Sequence, residues 1–297
     1  MMGRILVGIS SWTDAGLQES GFYPPQVKTP AQRLAHYASR FPVAEIDSTY
    51  HVFARQINLA MWLGNTPPGF SFDVRAFSLF TGHPTLVASM PRAFREKFAA
   101  VLPDKPAIYP HDVTDEAFDD LWDGFRRTVE TFRTAGKLGT VFFQFPPWFH
   151  PGEKSLERIA GCRERLKGYP MSIEFRVPSW LTARKEETLA FLRKHEIGLV
   201  CVDEPQGLKS SVPPEVAVTA PLAMVRFHGR NASHWESREM PGSRFDYLYG
   251  QDELREWLPR VRKLAAAAEM VHVIFKNKHK DYPVRNAEQM KALLGPD

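Results

Sequence analysis

An α/β fold, a single (β/α)8 TIM-type barrel, is what this sequence predicts, and three observations predict it. Eight short runs rich in β-branched and aromatic residues recur along the chain, the number that a closed parallel barrel needs. Turn chemistry and, in several cases, a helical pattern follow these runs, as expected of βα units. No internal repeat, low-complexity tract or linker rich in Gly, Ser or Pro marks a boundary, so residues 1–297 read as one domain.

The first strand-like run is ILVGISS. Thr29-Pro30-Ala31-Gln32 then forms a capping box with proline at the first helical position, and Leu34, Tyr37, Ala38 and Phe41 recur at helical spacing. VAEIDSTY and FSFDVRA supply the second and third strands. The segment from Phe77 to Asp112, with many prolines, is longer than a minimal βα unit requires. Asp115 to Ala135 then places Phe118, Leu121, Trp122, Phe125, Val129 and Phe132 at helical spacing, and TVFFQFP is the fourth strand. MSIEFRV, IGLVCVD and LAMVRFH are the fifth to seventh. A second long connection, Gly229 to Gly250, is polar and aromatic without period; a loop of that length, when ordered, is often a lid or binding loop. A helical pattern over Asp252 to Ala268 precedes the last strand, VHVIFKN. The apolar helix faces are expected to cover the outside of the sheet.

Composition narrows the classes. Hydrophobic residues at 43% and charged residues at 24% are ordinary for a soluble globular protein. The start, MMGRILVGISSW, lacks the pattern of a secretory signal, and no apolar run approaches membrane-spanning length, so a cytoplasmic protein without a membrane partner is expected. Cys162 and Cys201 have neither metal-site spacing nor the number of a disulfide framework and read as reduced structural thiols. The net charge of +4 permits an anionic partner, nucleic acid included, but the excess is spread along the chain. The basic run KNKHK at Lys276 to Lys280 reads by default as a solvated loop.

The strands carry charges at period 2, and successive strand residues point to opposite faces. Glu174 and Arg176 share a face in MSIEFRV, as do Glu45 and Asp47, Asp73 and Arg75, and Arg226 and His228 in their own strands. Gln144, Asp203 and Lys276 stand singly near strand ends. These polar faces are expected to converge on the barrel interior. Since barrels of this kind place chemistry at the carboxyl ends of the strands, Arg75, Glu174, Arg176, Asp203, Arg226, His228 and Lys276 are the stronger candidates. The structural alternative is an ion-pair network, in which four inward cations (Arg75, Arg176, Arg226, Lys276) balance five inward carboxylates (Glu45, Asp47, Asp73, Glu174, Asp203).

Three functional uses fit these residue types. Glu174 or His228, tuned by neighbouring arginines and helped by Asp203 and Glu45, would move a proton on a small anionic, sugar-like or phosphorylated substrate. Arg75, Arg176, Arg226 and Arg230 would clamp a phosphate or carboxylate, which suits either such an enzyme or a non-catalytic anion-binding protein. Glu45, Glu174, Asp203 and His228 would ligate a divalent metal, as in a metal-dependent phosphodiesterase or nuclease, although the sequence requires no cofactor. Trp12, Tyr50, Trp148, Trp180 and Trp235 follow strand ends and would either stack on a ligand ring or pack the barrel rim. The glycine-rich nucleotide loops, the nucleophile elbow and the zincin helix are all missing from the sequence.

GISSW followed by FYPP, EIDSTY, TPPGFSFDVRA, KLGTVFFQFPPWF, IEFRVPSW, VRFHGR and a final F-x-N followed by Asn286-Ala287 occur in fixed order over nearly the whole chain. In these motifs the sequence resembles the YecE-like family, known as domain of unknown function 72. The resemblance implies a TIM-type barrel of unknown activity, described by fold analogy as related to sugar isomerases. It also implies a pocket lined by Glu45, Ser48, Glu174, Arg176, Asp203, Arg226, His228, Gly229 and Asn277. Against the family's usual G-T-S-G-W, Ile9 and Ser11 replace the threonine and the second glycine. Lys276 stands where the last strand commonly has the first of two asparagines, an added cation that would bear on which ligand fits.

Overall fold

The computed structural model describes residues 2–102, 104–237 and 242–295. Among these residues ten strands follow in chain order: β1 (Arg4–Ile9), β2 (Val43–Ile46), β3 (Ser71–Arg75), β4 (Thr85–Leu86), β5 (Ala107–Ile108), β6 (Leu138–Gln144), β7 (Met171–Glu174), β8 (Ile197–Asp203), β9 (Leu222–Phe227) and β10 (Met270–Phe275). Eight of them, all but β4 and β5, form a closed parallel barrel in which chain neighbours are sheet neighbours and β10 returns to β1. The eight sequence runs are these eight strands.

β1 and β2 share only two register positions, Gly8 with Val43 and Ile9 with Ala44. Tyr37 reinforces that join. Its hydroxyl accepts from the Ile9 amide at 2.9 Å and donates to the Val43 carbonyl at 2.6 Å. The helix that carries it, Pro30–Ala38, begins at the expected capping box, with the Thr29 hydroxyl accepting from the Gln32 amide and the Gln32 side chain from the Thr29 amide.

The helices present apolar faces to the outward faces of the strands. Asp115–Thr134 buries Leu121, Trp122, Phe125, Val129 and Phe132, with Trp122 stacked at 3.9 Å on Phe80 and Phe132 at 5.2 Å from Phe72 of β3. Gln251–Ala265 sets Trp257 against Phe227 of β9 at 5.2 Å. Each such side chain, fully buried, contributes about 1.5–3 kcal/mol. Among the described residues, the long Phe77 to Asp112 connection holds two short α-helices, Ser78–Thr81 and Arg92–Lys97, two 3-10 turns, Val87–Ser89 and Pro110–Asp112, and the antiparallel β4–β5 pair. In the Gly229 to Gly250 connection one 3-10 turn forms, Ser243–Phe245; residues 238–241 of that segment lie outside the described residues. Among the described residues no helix is long and apolar enough to cross a membrane.

Parallel register partners share a face, so the pairings decide which charges turn inward. Glu45 pairs with Asp73, Gln144 with Glu174, and Arg226 with both Val202 and Ile274. Asp203 pairs with Phe227, whose ring packs on Trp257. Asp203 therefore faces the helices, contrary to the sequence expectation.

Candidate functional site

Asp73 turns away from the mouth to His272 Nδ1 at 2.8 Å and the Thr140 amide, and the other inward charges named from the sequence lie in two tiers at the carboxyl ends of the strands. The deeper tier centres on Arg226, which is fully buried. Its Nε and Nη2 donate to the two oxygens of Glu45 at 2.9 and 2.8 Å, and its Nη1 donates to Oε2 of Glu174. Oε1 of Glu174 accepts from Gln144 at 2.5 Å and contacts His228 Nε2 at 3.0 Å. Burial opposes the Glu174 charge, but Arg226 and His228 outweigh it and hold the carboxyl well below its usual range. An ionised Oε1 can only accept, so His228 carries its proton on Nε2 and keeps a lone pair on Nδ1. Burial, more than Glu174 can offset, lowers the His228 pKa to about 3, so the ring is neutral at pH 7.

One guanidinium serves two carboxylates here. Glu174 has further donors, whereas Glu45 depends on Arg226, and burial pushes Glu45 upward against that guanidinium.

The upper tier lines the mouth. Arg75 donates to Asp47 at 2.5 Å and to Gln144 at 2.6 Å, which links the two tiers. Lys278 donates to the other Asp47 oxygen at 2.9 Å, and Lys276 Nζ stands 3.9 Å from Asp47. Burial opposes the Asp47 charge, but Lys276, Arg75 and Lys278 hold it well below the usual carboxylate range. Across the mouth, Arg176 donates to Glu204 at 2.6 Å, and Glu204 also accepts from the Val212 amide at 2.6 Å. Burial pushes Glu204 up to about 7 against the pull of Arg176. Trp235, from the segment after β9, lies under Arg176, 4.9 Å from Cζ to ring centroid, and 6.2 Å from the His228 ring. Phe245 flanks His228 at 6.5 Å.

The structure thus brings together Glu45, Arg75, Glu174, Arg176, Arg226, His228 and Lys276 from the sequence-derived set, while Ser48 lies in the 3-10 turn Asp47–Tyr50 that carries Asp47 over the mouth. Four others lie elsewhere. Asp203 accepts from Tyr249 Oη at 2.7 Å, Trp257 Nε1 at 2.6 Å and Arg230 Nη2 at 2.8 Å, in the layer between barrel and helices. Arg230 is used there too, with Glu253 and Glu256. Asn277 donates to the Tyr247 carbonyl and to Asn286, and Trp12 packs among Tyr37, Trp62 and Phe72. The physical reason is common to Asp203 and Asn277: both sit one residue out of phase with the inward set of their strands. Gly229 begins the covering segment at φ +94°, a conformation that favours glycine, and its amide donates to Tyr249 Oη. The Asp203 cluster anchors both ends of that segment. Asp203→Asn leaves two or more donors sharing one acceptor oxygen and is expected to cost about 1–3 kcal/mol, read as a lower urea midpoint at unchanged slope.

The proposed metal quartet is not assembled. Asp203 faces away, Arg226 occupies the space between Glu45 and Glu174, and among the described residues no group of three His, Cys, Asp or Glu side chains could hold a metal ion.

Sequence reasoning missed Glu204 and the use of Lys278. Glu204 shares parity with Val200 and Val202, the inward residues of β8, so the correct phase for that strand would have found it. A separate cavity of about 760 Å³ opens at the amino-terminal end of the barrel, over Ser71, Thr140 and Ser172. Thr140 and Ser172 pair their hydroxyls with each other at 2.9 Å, and the charged tiers lie at the opposite end. The mouth is therefore the better site.

A family model described as protein of unknown function DUF72 matches residues 6–297. The chain is a DUF72 protein. It is 30% identical over 298 residues to UPF0759 protein YunF of Bacillus subtilis strain 168, covering 98% of this chain and 94% of that one. Two solved DUF72 structures share the fold. One, from Enterococcus faecalis V583, has a TM-score of 0.80 at 25% identity, covering 99% of this chain and 96% of that one. The other, from Thermotoga maritima MSB8, has a TM-score of 0.77 at 28% identity, covering 98% and 99%. DUF72 is a family without an established activity, so the chemistry of this member has to be argued from its own mouth residues.

Proposed function

We propose that this DUF72 protein is an enzyme that moves a proton on a small anionic, sugar-like or phosphorylated substrate held at the carboxyl mouth of the barrel. The placement of Lys276 carries this reading. Its ammonium is buried among Asp47, Arg75 and Arg226 at the top of the interior, where β10 ends. Burial first, then Arg226 and Arg75, lower its pKa to about 7 against the opposing pull of Asp47 and Glu45. A lysine so tuned serves as base or acid at neutral pH. Arg75 and Arg176 supply guanidinium forks for the anionic group. Glu174 acts by positioning, fixing the His228 tautomer and Arg226, and the neutral His228 offers its Nδ1 lone pair as a hydrogen-bond acceptor that orients the substrate.

The test is solvent exchange. Sugar phosphates and 2-oxo acids that raise the melting temperature are incubated with the protein in deuterium oxide and followed by proton NMR. At least one is expected to lose a carbon-bound proton signal, and Lys276→Met is expected to slow that loss about a hundredfold or more at saturating ligand. Ligands that bind firmly and never exchange would leave a non-catalytic anion-binding protein and end the enzymatic reading.

A further inference from the structure

The aromatic residues near the strand ends separate into two groups. Trp12 and Trp180 are buried in the packing between barrel and helices, and Trp235 is buried beneath Arg176. Tyr50, His83 and Trp148 are different. They come from the segments after β2, β3 and β6, three adjacent barrel strands, and they stand in a row.

The row starts at Arg75, whose Cζ lies 4.0 Å from the Tyr50 ring centroid. Tyr50 meets His83 at 5.4 Å and 79°, and His83 meets Trp148 at 5.7 Å and 65°. His83 is thus turned across both larger rings, and its Nδ1 is fixed by the Thr81 hydroxyl at 2.8 Å. Burial, followed by Arg75 and Arg158, lowers the His83 pKa to about 4, so the ring carries no charge at pH 7 and does not compete for an anion. Trp148, at the outer end, is 55% exposed, whereas Phe145 of the same segment is buried. A solitary exposed tryptophan needs no explanation. This one ends a row of rings that leads to a cation, and the inner end has an unmet demand: Arg75 is more than nine-tenths buried, and its Nε has no hydrogen-bond partner among the described residues. An acceptor arriving at the mouth would satisfy it.

We propose that Tyr50, His83 and Trp148 form a ring-stacking platform leading into Arg75, so that the ligand of the mouth is a flat-faced ring joined to an anionic group. This rests on the anion-binding part of the function proposed above. It adds the chemistry of the rest of the ligand: the anion meets Arg75 and Lys276, and the ring lies outward along the row. Both an aromatic ring and the apolar face of a sugar stack on tryptophan, and the test separates them.

Binding of inorganic phosphate, phenyl phosphate and glucose 6-phosphate is measured by titration calorimetry on the full chain and on Trp148→Ala, an exposed position whose truncation leaves the core intact. At least one ring-bearing phosphate is expected to bind about tenfold tighter than inorganic phosphate, and Trp148→Ala is expected to abolish that gain while leaving inorganic phosphate binding unchanged. Whichever ring gains identifies the ring class. No gain for either ring, or a gain that survives Trp148→Ala, overturns the platform and leaves the anion site and the proton chemistry standing. Failure of all three phosphates to bind overturns the platform together with the anion-binding reading.

Discussion

Arg226→Met is expected to destabilise the protein by about 3–5 kcal/mol, the largest loss of any single change considered. Arg226 and Glu45 are fully buried, as is Glu174, and the guanidinium donates to both carboxylates. Methionine approximates the aliphatic part of arginine, so the loss measures charge more than volume. Two carboxylates would remain in a low-dielectric interior without their shared cation, and ionised groups there need pairing and hydrogen bonds. Denaturant unfolding at pH 7 reads the cost. Adding Glu45→Gln and Glu174→Gln to Arg226→Met should restore most of the loss, because the carboxylates, once neutral, no longer need a counter-charge. If the single variant loses less than about 1 kcal/mol, water reaches the deeper tier and the dry network described above is wrong. If it loses the full amount and the triple variant recovers nothing, the cost lies in packing around Phe142, 4.7 Å from the guanidinium, rather than in electrostatics.

Why so much of this fold could be read from the sequence is a matter of period and punctuation. Strands such as IEFRV and VRFH alternate polar and apolar residues clearly enough to fix both their existence and, for Glu174 and Arg226, their inward face. The Thr29 capping box marked a helix start because its side-chain contacts are local in the chain. Where reading failed, the deciding interaction was remote. In IGLVCVDEP two adjacent acids end an almost wholly apolar strand, so alternation offers no polar neighbour to set the phase. Asp203 turns outward because Tyr249, Trp257 and Arg230, from 27 to 54 residues away, supply its donors, and Glu204 turns inward to Arg176. Asn277 is likewise claimed by Tyr247 and Asn286. Lys278 looked like part of a solvated basic run, and only barrel closure brings it to Asp47, 231 residues earlier.

The two titrating groups of the mouth make stability depend on pH in opposite directions, and the signs can be worked out. Glu204 has a folded pKa raised to about 7, above its unfolded value of about 4.3. Between those values the folded chain holds more protons than the unfolded one, so the Glu204 contribution is fully present below about pH 4.3 and is lost as pH rises through about 7. A shift of that size corresponds to a fall on the order of 3 kcal/mol. Lys276 has its folded pKa lowered to about 7, below the unfolded value of about 10.4. Between those values the unfolded chain binds the extra proton, so this contribution grows as pH rises from about 7 toward 10. Together they place a minimum of stability near neutrality, where a proton-moving mouth would work. Comparison with variants isolates each limb. The stability of Glu204→Gln relative to the parent chain should increase from pH 4.5 to 8, because the variant no longer loses the Glu204 term, while Lys276→Met should erase the alkaline rise. A Glu204→Gln difference that stays flat across that range would mean that Arg176, 2.6 Å away, keeps Glu204 ionised throughout, leaving Lys276 as the one group of the pair poised to exchange a proton at neutral pH.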